Sequence, residues 1–126
     1  MATILLIEPD ELLRNLLRKF LQWDGHTVVA SATARRALDL AESRPIDIVL
    51  MEIALPGEDG LALIRSLSSG AMNRPVIALS YARQTLRQGV GARARTAGAS
   101  AMLASPFSLE DLRGALSNLI HTSAVA

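Results

Sequence analysis

Five short apolar runs, each followed by a helix-forming stretch, constrain the fold of this chain more than any other feature. The runs are Thr3-Ile4-Leu5-Leu6-Ile7, Thr27-Val28-Val29-Ala30, the stretch Ile46 to Met51, Val76-Ile77-Ala78-Leu79 and Ala101-Met102-Leu103. Runs of this length without polar alternation suit strands buried on both faces, as in a parallel sheet. Parallel neighbours require a crossover connection, usually a helix. Five strand–helix units in succession therefore predict an α/β fold with an open parallel sheet, helices on both faces and right-handed crossovers. At this length the natural arrangement is flavodoxin-like, with strand order 2-1-3-4-5. Ligands of such sheets bind beyond the carboxyl ends of strands 1 and 3. The residues expected there are Glu8, Pro9, Asp10 and Glu52.

The helical stretches carry their own signals. Residues 11–23 place Leu12, Leu13, Leu16, Leu17, Phe20 and Leu21 on one stripe, so all six are expected inward. Asp10 is the expected N-cap and Gly25 the expected stop. Residues 33–42 predict a second helix with Ala37, Leu38 and Ala41 inward, and residues 60–68 a third carrying Leu61, Leu63, Ile64 and Leu67. Residues 82–97 contain Gly89 and Gly91, each costing about 1 kcal/mol within a helix, so a frayed or broken fourth helix is expected there. Ser108 and Asp111 form a partial capping box for a last helix. The chain is read as one domain over residues 1–121 with a disordered tail at 122–126.

Half of the 126 residues are hydrophobic but only four are aromatic, so the core must be aliphatic. No apolar run approaches the ~20 residues needed to span a bilayer. The first residues lack a basic leader and a cleavage site, so no secretory signal is expected. Cysteine is absent, which removes disulfides and thiolate metal sites and fits a cytoplasmic location. Charge is unevenly spread. Residues 60–109 contain six arginines (65, 74, 83, 87, 93 and 95) and no acid, while residues 1–59 contain ten acids and six bases. Such a segment is either a solvated surface or a basic face for an acidic partner.

Four segments carry a resemblance. Ile4 to Asp10 is an opening strand ending in an acidic cluster, and Leu55-Pro56-Gly57-Glu58-Asp59-Gly60 follows the third strand. Pro75 to Ser80 ends in a hydroxyl, and Gly98 to Phe107 contains a fifth strand and a Ser105-Pro106 loop. In this order and spacing they resemble the CheY-like receiver domains of response regulators, over nearly the whole chain. The resemblance implies a phosphoryl-accepting aspartate, two acids that help hold magnesium, a Ser or Thr switch hydroxyl, a lysine and a switch aromatic. It also implies a cis peptide bond in the Ser105-Pro106 loop. Catalysis of this kind is mostly positioning and charge neutralisation, so missing parts matter.

Several of those parts differ here. Glu52 stands at the phosphoacceptor position, Pro9 at the second acid, Ser105 at the lysine and Met102 at the aromatic; only Ser80 matches directly. Glu8 and Asp10 supply the remaining acidic pocket, and the single lysine, Lys19, belongs to the first helix. These replacements point to a degenerate pseudo-receiver with magnesium binding weak or absent and no other cofactor. Glu8 and Glu52 should lie close, and like charge should raise at least one of their pKa values. Glu52 reads either as a relic bonded to Ser80 or backbone amides, or as a mimic of the phosphorylated state.

The function expected is a non-enzymatic, phosphorylation-independent protein-interaction module of two-component signalling. Its partner surface would be the fourth helix, fifth strand and fifth helix, with Arg83, Arg87, Arg93 and Arg95 facing an acidic protein or a second copy of the chain. The resemblance also admits a receiver still phosphorylated by a histidine kinase, and the arginines admit an anion or nucleic-acid binder, although no nucleic-acid motif is present.

Overall fold

Alternation within each strand sends successive side chains to opposite faces, and here both faces are apolar. In the computed structural model, which describes residues 1–81 and 89–125 with side chains as far as Ile120, the strands are β1 (Thr3–Ile7), β2 (Thr27–Ser31), β3 (Ile48–Glu52), β4 (Val76–Ser80) and β5 (Ala101–Ala104). All pair in parallel, in the order β2-β1-β3-β4-β5 expected from the sequence. Among the described residues the helices are α1 (Glu11–Trp23), α2 (Ala34–Ser43), α3 (Gly60–Ser68), α4 (Val90–Ala97) and α5 (Leu109–Val125). No helix among the described residues is long and apolar enough to cross a membrane.

The sheet separates two aliphatic cores. Leu5, Ile7, Val49, Met51 and Ala78 face α2, α3 and α4, packing with Ala37, Leu40, Leu63, Ile64, Leu67 and Ala94. Ile4, Leu6, Ile48, Leu50, Ile77 and Leu79 face α1 and α5, packing with Leu17, Leu21, Leu112 and Leu116. Burying each large aliphatic side chain contributes about 1.5–3 kcal/mol. Leu40, absent from the expected inward set of α2, is buried, while Leu38 only borders the core.

The α1 stripe is narrower than its periodicity suggested. Leu17 and Leu21 are buried and Leu13 and Phe20 border the core, but Leu12 is 83 % exposed and Leu16 61 %. A helix on a sheet covers one strip of its own surface, and these two leucines lie outside it. Trp23 is also exposed. Asp10 caps α1 as expected, accepting from the Leu12 and Leu13 amides. Trp23 is the last helical residue, and the turn passes through Asp24 and Gly25. Arg113 of α5 donates two hydrogen bonds to Asp24, at 2.8 and 3.1 Å, and lies over the Phe20 ring, joining α5 to the end of α1.

The start of α4 is set by Gly89, in the left-handed region at φ 68° and without a side-chain cap. Gly91 lies within the helix. Residues 82–88, the first part of the segment 82–97 where a frayed or broken fourth helix was expected, lie outside the described residues. Ser108 and Asp111 form a full reciprocal box, each accepting from the other's amide at 3.0 Å. α5 runs on to Val125, through the segment expected from sequence to be a disordered tail.

Candidate functional site

The carboxyl ends of β1, β3 and β4 bring Glu8, Glu52 and Ser80 together. Register fixes this: Ile7 pairs with Met51, so Glu8 and Glu52 stand side by side one residue further on, and Glu52 pairs with Leu79. Alternation puts both glutamates on the sheet face of Leu6 and Leu50. Their surroundings are dry: Glu8 is 3 % exposed, Glu52 5 % and Ser80 1 %.

Each glutamate has one satisfied and one unsatisfied oxygen. Glu8 Oε2 accepts from the Asp10 amide at 3.0 Å, and Glu52 Oε1 accepts from the Ala54 amide at 3.0 Å. Glu8 Oε1 and Glu52 Oε2 are buried without a hydrogen-bond partner. Such atoms are costly, since a buried polar group without a partner forfeits its hydration. Burial is accordingly the largest influence on both acids. It lifts the Glu52 carboxyl to about 7; the Glu8 charge adds to this, and the Ala54 and Tyr81 amides oppose it. The Glu8 carboxyl is raised too, chiefly by burial, against the pull of the Asp10 amide and the Arg14 charge. The like-charge effect expected from sequence is therefore present but secondary to desolvation. Tyr81, half-buried at the end of β4 and tilted against Phe107 at 5.4 Å, has its phenol pushed above the ordinary range by burial and by the same two carboxylates.

The loop after β3 is anchored at both ends. Gly60 admits no side chain, because a Cβ there would lie 2.0 Å from the Ile53 carbonyl oxygen. Asp59 caps α3 by accepting from the Ala62 amide. Glu58 reaches across to the start of α2, accepting from the Ala34 amide at 2.8 Å and the Arg35 amide at 3.2 Å. Its carboxylate suits the positive end of that helix.

The remaining expected residues are arranged as follows. The Ser105 amide donates to the Ser80 carbonyl at 2.8 Å, and the Ser105–Pro106 peptide bond is cis. Met102 pairs with Ala78 in register and packs against the α2–α4 core. Asp10 is exposed, its carboxylate engaged at the α1 cap. Arg93 and Arg95 are exposed on α4, whereas Arg83 and Arg87 lie outside the described residues.

Sequence reasoning missed Arg14. Its guanidinium donates to the Glu8 carbonyl at 2.9 Å and the Pro9 carbonyl at 3.4 Å. The helical spacing from Asp10 offered a signal, since one turn beyond an N-cap a long side chain can reach back over the cap.

The sequence matches the response regulator receiver domain over residues 4–117. The chain belongs to the response regulator receiver family. This receiver is 33 % identical over 118 residues to the response regulator MprA of Mycolicibacterium vanbaalenii, covering 94 % of the chain and 50 % of that protein. It is 33 % identical over 121 residues to the virulence transcriptional regulatory protein PhoP of Salmonella typhimurium, covering 96 % of the chain and 53 % of that protein. The receiver thus spans about half the length of the curated relatives it matches. Its fold matches a crystal structure of a response regulator receiver domain protein from Clostridium thermocellum, with a TM-score of 0.88, 24 % identity and coverage of 99 % and 98 % of the two chains. Receivers are signalling modules of two-component systems.

The family implies a magnesium ion at the β1 and β3 tips, and the residues present do not fit one. Magnesium needs near-octahedral oxygen ligation and keeps several waters. Pro9 has no side-chain donor, Asp10 holds the α1 cap with one of its oxygens, and Glu8 and Glu52 each give one oxygen to a backbone amide. Arg14 adds a positive charge beside the β1 tip. Among the described residues no cluster of three or more His, Cys, Asp or Glu side chains could hold a metal.

Proposed function

We propose that this receiver is a protein-interaction module that signals without phosphorylation. One observation carries the reading: at the phosphoacceptor position stands a buried glutamate with one oxygen held by the Ala54 amide of its own loop and a pKa near 7. A nucleophile must be ionised and aimed at the incoming phosphorus. This carboxyl is half-protonated near neutrality and turned toward its own backbone. Ser105 leaves the developing phosphoryl charge without a lysine, and Pro9 removes the second acid that would help hold a magnesium ion. The buried, amide-bonded state of Glu52 favours a relic over a mimic of the phosphorylated form.

The module has no catalytic residue of its own and works in the cytoplasm. Its partner surface is the α4–β5–α5 face, where Arg93 and Arg95 are exposed and Arg83 and Arg87 belong to the same basic segment. The absence of acids across residues 60–109 suits an acidic protein, or an acidic patch on a second copy of the chain.

Incubation with acetyl phosphate and magnesium, read by intact mass, tests the reading. The wild-type chain should gain no phosphoryl group, while the triple variant Pro9→Asp, Glu52→Asp, Ser105→Lys serves as the restored control. A stoichiometric adduct on the wild-type chain would establish the rival, a receiver phosphorylated by a histidine kinase.

A further inference from the structure

We propose that the outward face of α1 is a self-association surface, on which a second copy of this chain docks its own α1 antiparallel. The surface draws on none of the buried pocket residues, and it stands whether or not Glu52 accepts a phosphoryl group.

The helix carries two apolar stripes where the fold needs one. Leu17 and Leu21 face the sheet and are buried. Leu12, Leu16, Lys19 and Trp23 lie nearly opposite them, at successive steps of four, three and four residues. That spacing is the 3.5-residue repeat of a helix–helix seam, and packing on a sheet does not require it. All four side chains are exposed, Trp23 to 88 %. Of the five large hydrophobic residues left exposed among the described residues, three belong to this one seam. Leaving them in water forfeits the burial each could contribute, and such clusters mark interaction surfaces.

Charge selects the occupant and its direction. A parallel copy would set Lys19 against Lys19 within the seam, which is repulsive. An antiparallel copy whose Leu16 meets Leu12 brings Lys19 close to the start of the partner's α1. Long helical side chains lean toward the amino end of their own helix. Lys19 then reaches the level of the partner's Asp10 and the partner's Glu11, both exposed in this fold. Trp23, leaning the same way, covers the outer end of the seam. The two halves are equivalent, so the contact is isologous and closes at two copies. Leucines from both copies form its centre, and a lysine–acid cluster flanks each end. A lone basic residue in an apolar seam fixes orientation at some cost in affinity. A surface carrying both signs suits its own copy better than an anionic lipid surface or a uniformly acidic protein, either of which would face Asp10 and Glu11 as well as Lys19. With 13 residues α1 is about 20 Å long, so the seam is short and the dimer reversible.

Sedimentation equilibrium of the whole chain over a wide concentration range tests the proposal, with tryptophan fluorescence as a second readout. The wild-type mass should rise from one chain toward two as concentration increases. Emission should move to shorter wavelength in step, because Trp23, the only tryptophan, leaves water. Leu16→Glu should weaken association by about a hundredfold or more, since each copy loses a buried leucine. Its dilute monomer should keep the wild-type circular dichroism, because that side chain lies in water there. Lys19→Glu and Glu11→Lys should each weaken the dimer, and the two exchanged together should recover part of the loss. A wild-type chain that stays monomeric at every concentration would overturn the proposal, and cosedimentation of that monomer with phosphatidylserine vesicles would give the face to a lipid surface instead. So would a dimer that ignores Leu16→Glu but dissociates in Arg93→Glu, which would move self-association to the α4–β5–α5 face. A charge exchange that recovers nothing would overturn the antiparallel pairing.

Discussion

Replacing Glu52 by Gln should make the stability of this receiver less sensitive to pH, by an amount the pocket itself sets. The Glu52 carboxyl titrates at about 7 in the fold against an ordinary 4.5. Below the lower value both folded and unfolded chains are protonated, and the site costs nothing in charge. Between the two values the unfolded chain has released a proton that the folded chain still holds, so stability falls as pH rises; above the upper value both are ionised and the loss is complete. At about 1.36 kcal/mol per pH unit, the gap between the values corresponds to a loss of about 3 kcal/mol. Glutamine cannot ionise. Its amide oxygen can keep the Ala54 bond, while its amine group faces the place of the orphaned oxygen, at a cost of about 1–3 kcal/mol that does not depend on pH. The offset between the two proteins is therefore uninformative, and the slope decides. Urea denaturation followed by circular dichroism at several pH values should show the variant gaining about 3 kcal/mol on the wild type between pH 4.5 and 8. A constant difference, or one that moves in favour of the wild type as pH rises, would refute the desolvated-carboxyl account.

Three further outcomes follow from the same geometry. Gly60→Ala should destabilise by about 3 kcal/mol or more in a denaturant midpoint measurement, since its Cβ meets backbone rather than a yielding side chain. Glu58→Ala should cost about 1–2 kcal/mol by removing a carboxylate from two amides of α2, with Glu58→Gln recovering part of the loss, and hydrogen exchange at Ala34 and Arg35 should rise accordingly. Leu12→Gln and Leu16→Gln should each change stability by less than about 0.5 kcal/mol, because both side chains are already exposed; a thermal or urea midpoint loss typical of a core leucine would contradict the packing described for α1.

Much of this was legible in the sequence because the signals are local. Apolar runs without alternation marked the five buried strands, and topology rules ordered them. Asp10, Ser108 and Asp111 announced their caps through short-range side-chain chemistry. The misses have a common physical origin, in contacts that depend on three-dimensional placement. Leu12 and Leu16 fit the α1 period, but periodicity does not say how wide a strip the sheet covers. Glu58 looked like a loop acid, yet it caps a helix that begins 24 residues earlier. At the pocket, the sequence identified Glu52 and Glu8 and their proximity. It did not reveal that burial outweighs their mutual repulsion, or that Arg14 folds back onto the β1 tip. Those facts depend on where oxygens point. The arginine-rich segment was legible as a charge pattern alone, and Arg83 and Arg87 lie outside the described residues.

The central claim is that this pocket no longer captures phosphate, and beryllofluoride, which mimics a phosphoryl group on a carboxylate, tests it most directly. Fluorine NMR of the chain with beryllofluoride and magnesium should show no bound signal, and the backbone amides of Glu52, Ala54 and Ser80 should not move. A stoichiometric bound species with shifted amides at those three positions would contradict the account.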